Sequence, residues 1–147
     1  MGEARAPTVD PGRAESRAGA GADGRPVRVY AWRNVSGRRP VLLWGHANGF
    51  AAGAYVRLLD RLAESFDVFA ADLRGHGGSA DPGPDYDRAM TADRLALDLV
   101  AVTAAVRRRT LAQPIHFAGH SVSGLSALRM GAVHGHAPFA SMTLFEP

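Results

Sequence analysis

The sequence predicts an α/β fold, a mostly parallel, doubly wound sheet with helices on both faces. Two patterns lead to this prediction. Short apolar runs, typical of buried strands, recur along the chain, and amphipathic segments with apolar residues three or four positions apart lie between them. Strands and helices that alternate in this way form parallel sheets with right-handed crossovers. The chain of 147 residues, 46% of them apolar, is long enough for one domain with its own core.

The first residues differ in composition from the rest of the chain. Residues 1–25 are rich in Ala, Gly, Arg, Glu and Pro, and Val9 is their only large aliphatic residue. Such a segment buries too little apolar surface to offset its loss of chain entropy on folding. We therefore predict a disordered tail over residues 1–25 and one domain over residues 26–147.

Two strands are predicted before the first helix. Val27–Trp32 alternates in character, as a half-exposed strand does, and Val41–Trp44 is apolar throughout, as a buried strand is. The turn between them contains Gly37 and ends at Pro40. The two strands are candidates for an antiparallel pair.

Helices and strands then alternate to the end of the chain. The first helix is predicted from apolar residues at helical spacing, namely Tyr55, Leu58, Leu59, Leu62 and Phe66. A strand over Val68–Ala71 precedes a loop rich in Gly and Pro over Asp72–Pro84. The second helix has Thr91 as its candidate N-cap, and its apolar face consists of Leu95, Leu99, Val102 and Val106. The last two strands are Ile115–Ala118 and Ser141–Phe145, with a third helix between them that ends near Gly135.

A turn of small residues joins the strand Ile115–Ala118 to the third helix. Its sequence is Gly119-His120-Ser121-Val122-Ser123-Gly124, which we call the elbow. A strand, a tight turn with a serine and then a helix is the layout of a nucleophile elbow, in which the helix directs backbone N–H groups towards an oxyanion beside the serine. The sequence departs from G-x-S-x-G because Ser123 stands where the second glycine is expected.

Three loops are expected at the same edge of the sheet, because ligands of such folds bind at the carboxyl ends of parallel strands. They are His46–Phe50, Asp72–Ser79 and the elbow. The sequence resembles the α/β-hydrolase superfamily at Leu43–His46, at Asp72–Gly77 and at Gly119–Ser121, three motifs in the family's order. The resemblance covers Val27–Pro147 and implies a serine hydrolase of α/β-hydrolase type, truncated after the sixth strand of the family.

The resemblance implies a role for several residues. Ser121 matches the nucleophile, and the backbone N–H groups of Val122 and Asn48 match the oxyanion hole. The loop has His46-Ala47 where the family usually has His-Gly, which changes its backbone freedom. A serine rather than an aspartate at the elbow favours acyl transfer to water from an ester, thioester, amide or lactone. Serine-based relatives that hydrolyse C–C bonds remain an alternative.

The general base is not evident in the sequence. In this family the triad runs Ser, acid, His along the chain, and the histidine follows the last strand, a region that we do not expect this chain to contain. We therefore expect the chain by itself to be inactive. Glu146 is a candidate acid, with a surface glutamate as the alternative. His46, His76 and His120 are expected to be structural.

Composition limits the remaining possibilities. The chain has no cysteine, a formal charge of +3 and no apolar run near the length of about 20 residues that spans a membrane. Its basic residues form no single stripe, which argues against nucleic-acid binding. We expect a cytoplasmic protein without cofactor or metal, whose partner is a small acyl substrate. The exposed final strand is expected to favour self-association or a complementing chain; a non-catalytic half-domain and one half of a split hydrolase stay open as alternative functions.

Overall fold

The structure is a computed structural model, and it describes residues 14–21, 23–32, 35–79, 90–111, 113–134 and 138–147. The strands of this part are β1 (Ala14–Ala20), β2 (Pro26–Trp32), β3 (Val41–Gly45), β4 (Asp67–Ala71), β5 (Ile115–His120) and β6 (Ser141–Phe145). The helices are α1 (Val56–Leu62), α2 (Ala92–Arg109) and α3 (Val122–His134), and a 3₁₀ turn over Ala52–Tyr55 leads into α1. None of these helices, within the part described, is long and apolar enough to cross a lipid bilayer.

The strands form one sheet in the order β1-β2-β4-β3-β5-β6. Strand β2 is antiparallel to both of its neighbours, and β4, β3, β5 and β6 are parallel to one another. In the middle of the sheet Leu43 is in register with Phe69 on one side and with Phe117 on the other. All five residues of β3 and all five of β4 are buried, which explains why these strands are apolar rather than alternating.

Side chains from the two faces of the sheet form two clusters. The first lies under α2 and α3, and its buried members include Val29, Leu43, Phe69, Val102, Val106, Phe117 and Ala127. The second lies under α1 and includes Trp32, Leu42, Trp44, Leu59, Val68 and Ala118. The predicted α/β class, with helices on both faces of a mostly parallel sheet, is therefore confirmed.

Local signals account for the helix limits. The Thr91 side chain accepts a hydrogen bond from the Arg94 N–H at 3.3 Å, as its predicted role as N-cap of α2 requires. Asp93 lies in the first turn of α2, and three arginines, Arg107–109, lie in its last turn. Both charges complement the helix dipole, which favours acidic residues at the start of a helix and basic residues at its end.

Two sequence predictions differ from the structure. Residues 14–20, assigned to a disordered tail, form β1 and pair antiparallel with β2, so the ordered part begins earlier than residue 26. Composition did not reveal this strand because an edge strand can be held by the backbone hydrogen bonds of its neighbour. The suggested antiparallel pairing of β2 with β3 is also wrong, since β4 lies between them. Residues 1–13 of the predicted tail and residues 80–84 of the predicted loop lie outside the described residues.

Candidate active site

Ser121 lies between β5 and α3 in a conformation that is unusual for serine. Its φ angle is 51°, in the left-handed region that costs an L-residue about 1–2 kcal/mol. Its N–H donates to the Phe145 carbonyl at 2.8 Å, and its own carbonyl accepts from Leu125 N–H at 3.0 Å, the first bond of α3. Hydrogen bonds on both sides of the residue therefore hold the sharp turn that the elbow sequence predicts.

Two glycines permit the close approach of strand and helix at the elbow. A Cβ on Gly119 would lie 2.5 Å from the Phe117 ring and 2.9 Å from the Gly124 nitrogen. A Cβ on Gly45, at the end of β3, would lie 2.5 Å from the Cβ of Ser123. Real Cβ atoms do not approach other atoms this closely, so the packing requires glycine at both positions.

Ser123, which departs from the expected motif, has a specific partner. Its side chain is 3% exposed, and its hydroxyl donates to the His46 carbonyl at 2.6 Å. The residue that replaces glycine thus connects the first turn of α3 to the loop after β3. We call that loop, His46–Phe50, the oxyanion loop, after the role predicted for Asn48.

Within the oxyanion loop, the amides on either side of Asn48 are engaged. Ala47 N–H donates to Tyr55 Oη at 3.1 Å, and Gly49 N–H donates to His76 Nε2 at 3.1 Å. Among the residues that the structure describes, no acceptor is hydrogen-bonded to the Asn48 N–H. This amide has the availability that an oxyanion donor needs.

A cavity of about 370 Å³ brings together three of the predicted site residues, Ser121, Val122 and Asn48. Its other lining residues are Met90, Leu95, Leu125 and Pro147. Val122 is the first residue of α3, where a backbone N–H has no partner within the helix. The cavity thus combines a hydroxyl, a helix N-terminus and a mostly apolar wall.

Glu146, the candidate acid, directly follows β6 and does not line this cavity. It is exposed and has a φ angle of 46°. The bond from Ser121 N–H to the carbonyl of the preceding Phe145 brings this strand end to the elbow. The Glu146 carboxylate has no hydrogen bond to any histidine in the described part of the chain.

His46 is a structural residue of the loop region. It is fully buried, its Nε2 accepts from Leu73 N–H at 2.8 Å, and its Nδ1 therefore carries the proton that it donates to the Ala47 carbonyl at 2.7 Å. Burial lowers the pKa of the His46 imidazole to about 4, so the ring is neutral near pH 7.

The other histidines whose side chains are described also have local partners. His76 Nε2 accepts from Gly49 N–H, so its Nδ1 donates to the Arg74 carbonyl at 2.9 Å. His120 Nδ1 lies 2.8 Å from Tyr55 Oη, and His116 Nδ1 lies 2.8 Å from the Ser141 hydroxyl. No histidine whose side chain is described is hydrogen-bonded to Ser121.

The Asp72–Gly77 motif holds the neighbouring loops in place. Buried Asp72 accepts from Ala52 N–H at 2.7 Å, from Tyr30 Oη at 2.8 Å and from Gly78 N–H at 2.7 Å. Burial and this hydrogen bond to the carboxylate raise the pKa of the Tyr30 phenol. Asp72 thus stabilises its own loop and anchors the start of the 3₁₀ turn that carries Tyr55.

Sequence patterns did not indicate the contacts made by Tyr55 and Ser123. Tyr55 was assigned to a helical apolar face, although its hydroxyl contacts both Ala47 and His120. For Ser123 the only available signal was its position, where the elbow motif has glycine. Both contacts join residues more than five positions apart in sequence, so local spacing does not predict them.

Comparisons with known proteins agree with this architecture. The family model for serine aminopeptidase, S33, matches residues 36–147. Fluoroacetate dehalogenase from a Burkholderia species is 34% identical over 107 residues, which are 68% of this chain and 32% of that protein. Pimeloyl-[acyl-carrier protein] methyl ester esterase from Stenotrophomonas maltophilia (strain R551-3) is 33% identical over 115 residues, 76% of this chain and 39% of that protein.

Solved structures share the fold at lower identity. A highly thermostable carboxyl esterase from Bacillus coagulans superposes with a TM-score of 0.72 at 21% identity, over 89% of this chain and 43% of that one. The chain spans about a third of the length of the dehalogenase and about two fifths of the length of the methyl ester esterase. With the sheet order, the elbow and the family match in agreement, the chain belongs to the serine aminopeptidase (S33) family of α/β-hydrolases.

Proposed function

We propose that this chain supplies the nucleophile and the oxyanion hole of a serine hydrolase that transfers an acyl group to water. The observation that carries the proposal is the single cavity lined by Ser121, Val122 and Asn48. In this proposal the hydroxyl of Ser121, on its strained turn, is the nucleophile, and the backbone N–H groups of Val122 and Asn48 are the two donors that acyl transfer needs.

The proposed reaction proceeds through an acyl-enzyme. Ser121 Oγ attacks the carbonyl carbon of the substrate as a general base removes its proton, and the carbonyl oxygen becomes an oxyanion that accepts from the Val122 and Asn48 N–H groups. The leaving group departs with that proton. Water then attacks the acyl-enzyme by the same route, and the products are a carboxylic acid and free Ser121.

An acyl substrate is favoured over a halide or an epoxide by the residue at the elbow. The resemblance implies aspartate there in relatives that displace halide or open epoxides, whereas this chain has Ser121. One of the two curated relatives named above is a methyl ester esterase. We therefore propose an ester, thioester, amide or lactone as the substrate class.

The general base of the proposed reaction comes from outside the described residues. His46, His76, His116 and His120 have other hydrogen-bond partners, and none of them is bonded to Ser121. Loss of the base of a triad lowers turnover by roughly 10⁶. We infer that the chain by itself is catalytically incomplete and that Glu146 is the acid that would orient an incoming histidine.

The proposal is tested with a fluorophosphonate probe, applied to the isolated chain and to a polypeptide that extends it to the length of its relatives. We expect rapid labelling at Ser121 in the longer polypeptide, slow labelling in the isolated chain and none in Ser121→Ala. Absence of labelling in the longer polypeptide would contradict a serine hydrolase. Rapid labelling of the isolated chain would instead contradict its incompleteness.

An alternative function is a non-catalytic half-domain or one half of a split hydrolase, favoured by the exposure of β6. In the described part of the chain this strand pairs with β5 alone, and Met142 and Phe145 are 38% and 46% exposed. Labelling of Ser121 that appears only when a second polypeptide is added would favour the split enzyme over a self-contained one.

A further inference from the structure

Two side-chain contacts, one on each side of Ser121, connect the elbow to the oxyanion loop. One runs from Ser123, two residues after the nucleophile, and the other runs from His120, the residue before it, through Tyr55. Both reach the His46–Ala47 segment, directly before the proposed donor Asn48. We call them the serine contact and the tyrosine contact.

The serine contact is short and buried. Ser123 Oγ donates to the His46 carbonyl at 2.6 Å, and both residues are at most 3% exposed. Gly45 leaves the space that this side chain occupies, because a Cβ there would lie 2.5 Å from Ser123 Cβ and 2.7 Å from its hydroxyl. A glycine at position 123 would leave the His46 carbonyl without this partner.

The tyrosine contact consists of two hydrogen bonds in series. Ala47 N–H donates to Tyr55 Oη at 3.1 Å, and Tyr55 Oη lies 2.8 Å from His120 Nδ1. Because Tyr55 Oη accepts from an amide, its own proton is available to His120, whose Nδ1 is then the acceptor. The Tyr55 ring packs against the Trp44 ring, with 5.0 Å between their centroids, and meets the His120 ring edge-on, with 6.0 Å between centroids. These ring contacts fix the position of the Tyr55 hydroxyl.

We propose that Ser123 and Tyr55 are positioning residues that hold the Asn48 N–H in register with the Val122 N–H. Ser123 donates to the carbonyl and Tyr55 accepts from the N–H of the same peptide group, the one between residues 46 and 47. This group is therefore held at both of its polar atoms, which fixes the position from which the next peptide group, with the Asn48 N–H, continues. The inference rests on the proposed function, because it assigns the purpose of these contacts to the oxyanion hole.

The serine contact also accounts for one of the two departures from the family pattern. Ala47 stands where the family usually has glycine, and Ser123 stands where the elbow motif has glycine. Each glycine-to-larger change reduces backbone freedom. Ser123 also makes its contact through the hydroxyl that glycine lacks, whereas Ala47 contributes its backbone N–H, which glycine would offer as well. A preorganised donor does not need to reorient when the oxyanion forms, which is the source of its catalytic effect.

The first test measures the geometry without any activity. Amide hydrogen exchange at Ala47 and the amide chemical shifts of Asn48 are followed by NMR in the chain, in Ser123→Ala and in Tyr55→Phe. We expect exchange at Ala47 to rise at least about tenfold and the Asn48 amide resonance to shift in both variants, because each removes one hydroxyl and leaves the ring or backbone in place. The nitrogen shifts of the His120 ring should report a proton on Nε2 in the unmodified chain.

Each variant has a matched control in the same chain. Ser126→Ala removes another buried hydroxyl of α3, which donates to the Val122 carbonyl within its own helix at 2.7 Å. Tyr30→Phe removes another buried phenol, which donates to Asp72. We expect stability to fall in both controls without a local change of exchange at Ala47 or of the Asn48 amide shifts. Equal Ala47 exchange and equal Asn48 shifts in the variants and in the controls would overturn the proposal.

The second test measures catalysis in a polypeptide in which Ser121 is labelled rapidly. In Ser123→Ala and Tyr55→Phe we expect kcat on a simple ester to fall on the order of 10- to 100-fold while KM stays within about twofold, because a misplaced donor weakens the transition state and not substrate binding. Unchanged kcat in both would overturn the proposal. If the fluorophosphonate probe fails to label Ser121 but the first test gives the expected NMR results, the proposed function is refuted and the loop geometry is supported.

Discussion

At the scale of the residue, Ser121 shows how the sequence sets up a strained hydroxyl. Its left-handed φ angle is retained because its N–H is held by Phe145 and its carbonyl begins α3. The turn places the side chain at the helix N-terminus, on a cavity shared with Val122. The cost of the conformation, about 1–2 kcal/mol, is small compared with the rate advantage that an aligned nucleophile would give in the proposed hydrolase.

A first prediction concerns the crowding between Gly45 and Ser123. Gly45→Ala places a Cβ 2.5 Å from Ser123 Cβ, so we expect a loss of about 1–3 kcal/mol in the free energy of unfolding, measured with urea. In Gly45→Ala/Ser123→Gly the loss should be smaller than the sum of the single losses, since the clash is removed. In the control pair, Gly45→Ala/Ser126→Gly, the loss should equal the sum of the two single losses. Additive losses in both pairs would contradict the crowding between Gly45 and Ser123.

A second prediction concerns the pH dependence that His46 confers. Its pKa in the folded chain, about 4, is below the usual value of 6.5, so the unfolded chain binds this proton more readily. The free energy of unfolding should therefore fall as the pH drops from about 6.5 to about 4, by about 3 kcal/mol from this residue, and level off below that.

The measurement is urea denaturation at several pH values between 7.5 and 4. His46→Asn is the control, because asparagine does not titrate in this range. We expect the variant to be less stable than the unmodified chain at pH 7.5. Its free energy of unfolding should also fall much less between pH 7.5 and pH 4.5. An equally steep decline in the variant would show that His46 is not its source.

At the scale of the element, the loop after β4 depends on a buried ion pair. Arg74 is 1% exposed and makes bonds of 2.5 and 2.6 Å to Asp98 of α2 and of 2.9 and 3.3 Å to Asp23, in the turn between β1 and β2. The hydrogen bond from Arg74 lowers the pKa of Asp23 to about 2. One guanidinium thus connects a strand turn, a loop and a helix.

A third prediction follows for this network. Arg74→Leu leaves Asp98 buried without this partner, and we expect a loss of about 3–5 kcal/mol in the free energy of unfolding. Arg74→Leu/Asp98→Leu removes both buried charges and should lose less than the sum of the single variants, as a double-mutant cycle in urea would reveal. Additive losses would mean that the two side chains act independently.

At the scale of the whole molecule, the sheet has an exposed edge. Four of the five residues of β6 are exposed, and Leu125 and Leu128 of the adjacent α3 are 48% and 45% exposed. Exposed strand edges and apolar side chains favour association with another chain. The candidate active site lies beside this edge, since the Ser121 N–H donates to the carbonyl of Phe145 in β6.

A fourth prediction is that the isolated chain associates with itself through β6. Sedimentation velocity should show larger species whose fraction rises with concentration. Met142→Lys/Thr143→Lys should reduce the fraction of these species, because charges at a strand edge oppose pairing. Leu111→Lys, at a leucine 88% exposed in the loop after α2, is the control and should leave association unchanged. A stable monomer at all concentrations would contradict this prediction.

The predictable part of the fold was the part encoded in local patterns. Apolar runs predicted β3 to β6, helical spacing and the Thr91 cap predicted α2, and the elbow sequence predicted a turn with Ser121 at its apex. Strand β1 was missed because its composition is that of a flexible segment. The pairing of β2 was wrong because strand order depends on contacts across the sheet, which periodicity does not contain.

The same distinction holds for the candidate site. The identities of Ser121, Val122 and Asn48 followed from three motifs in order, because each motif lies within a few residues of one strand end. The contacts of Tyr55 and Ser123 with the neighbouring residues His46, Ala47 and His120 became evident only when the chain was folded. Their hydrogen bonds join segments that are distant in sequence, and the free energy of such contacts depends on distance and burial, which only the packed structure defines.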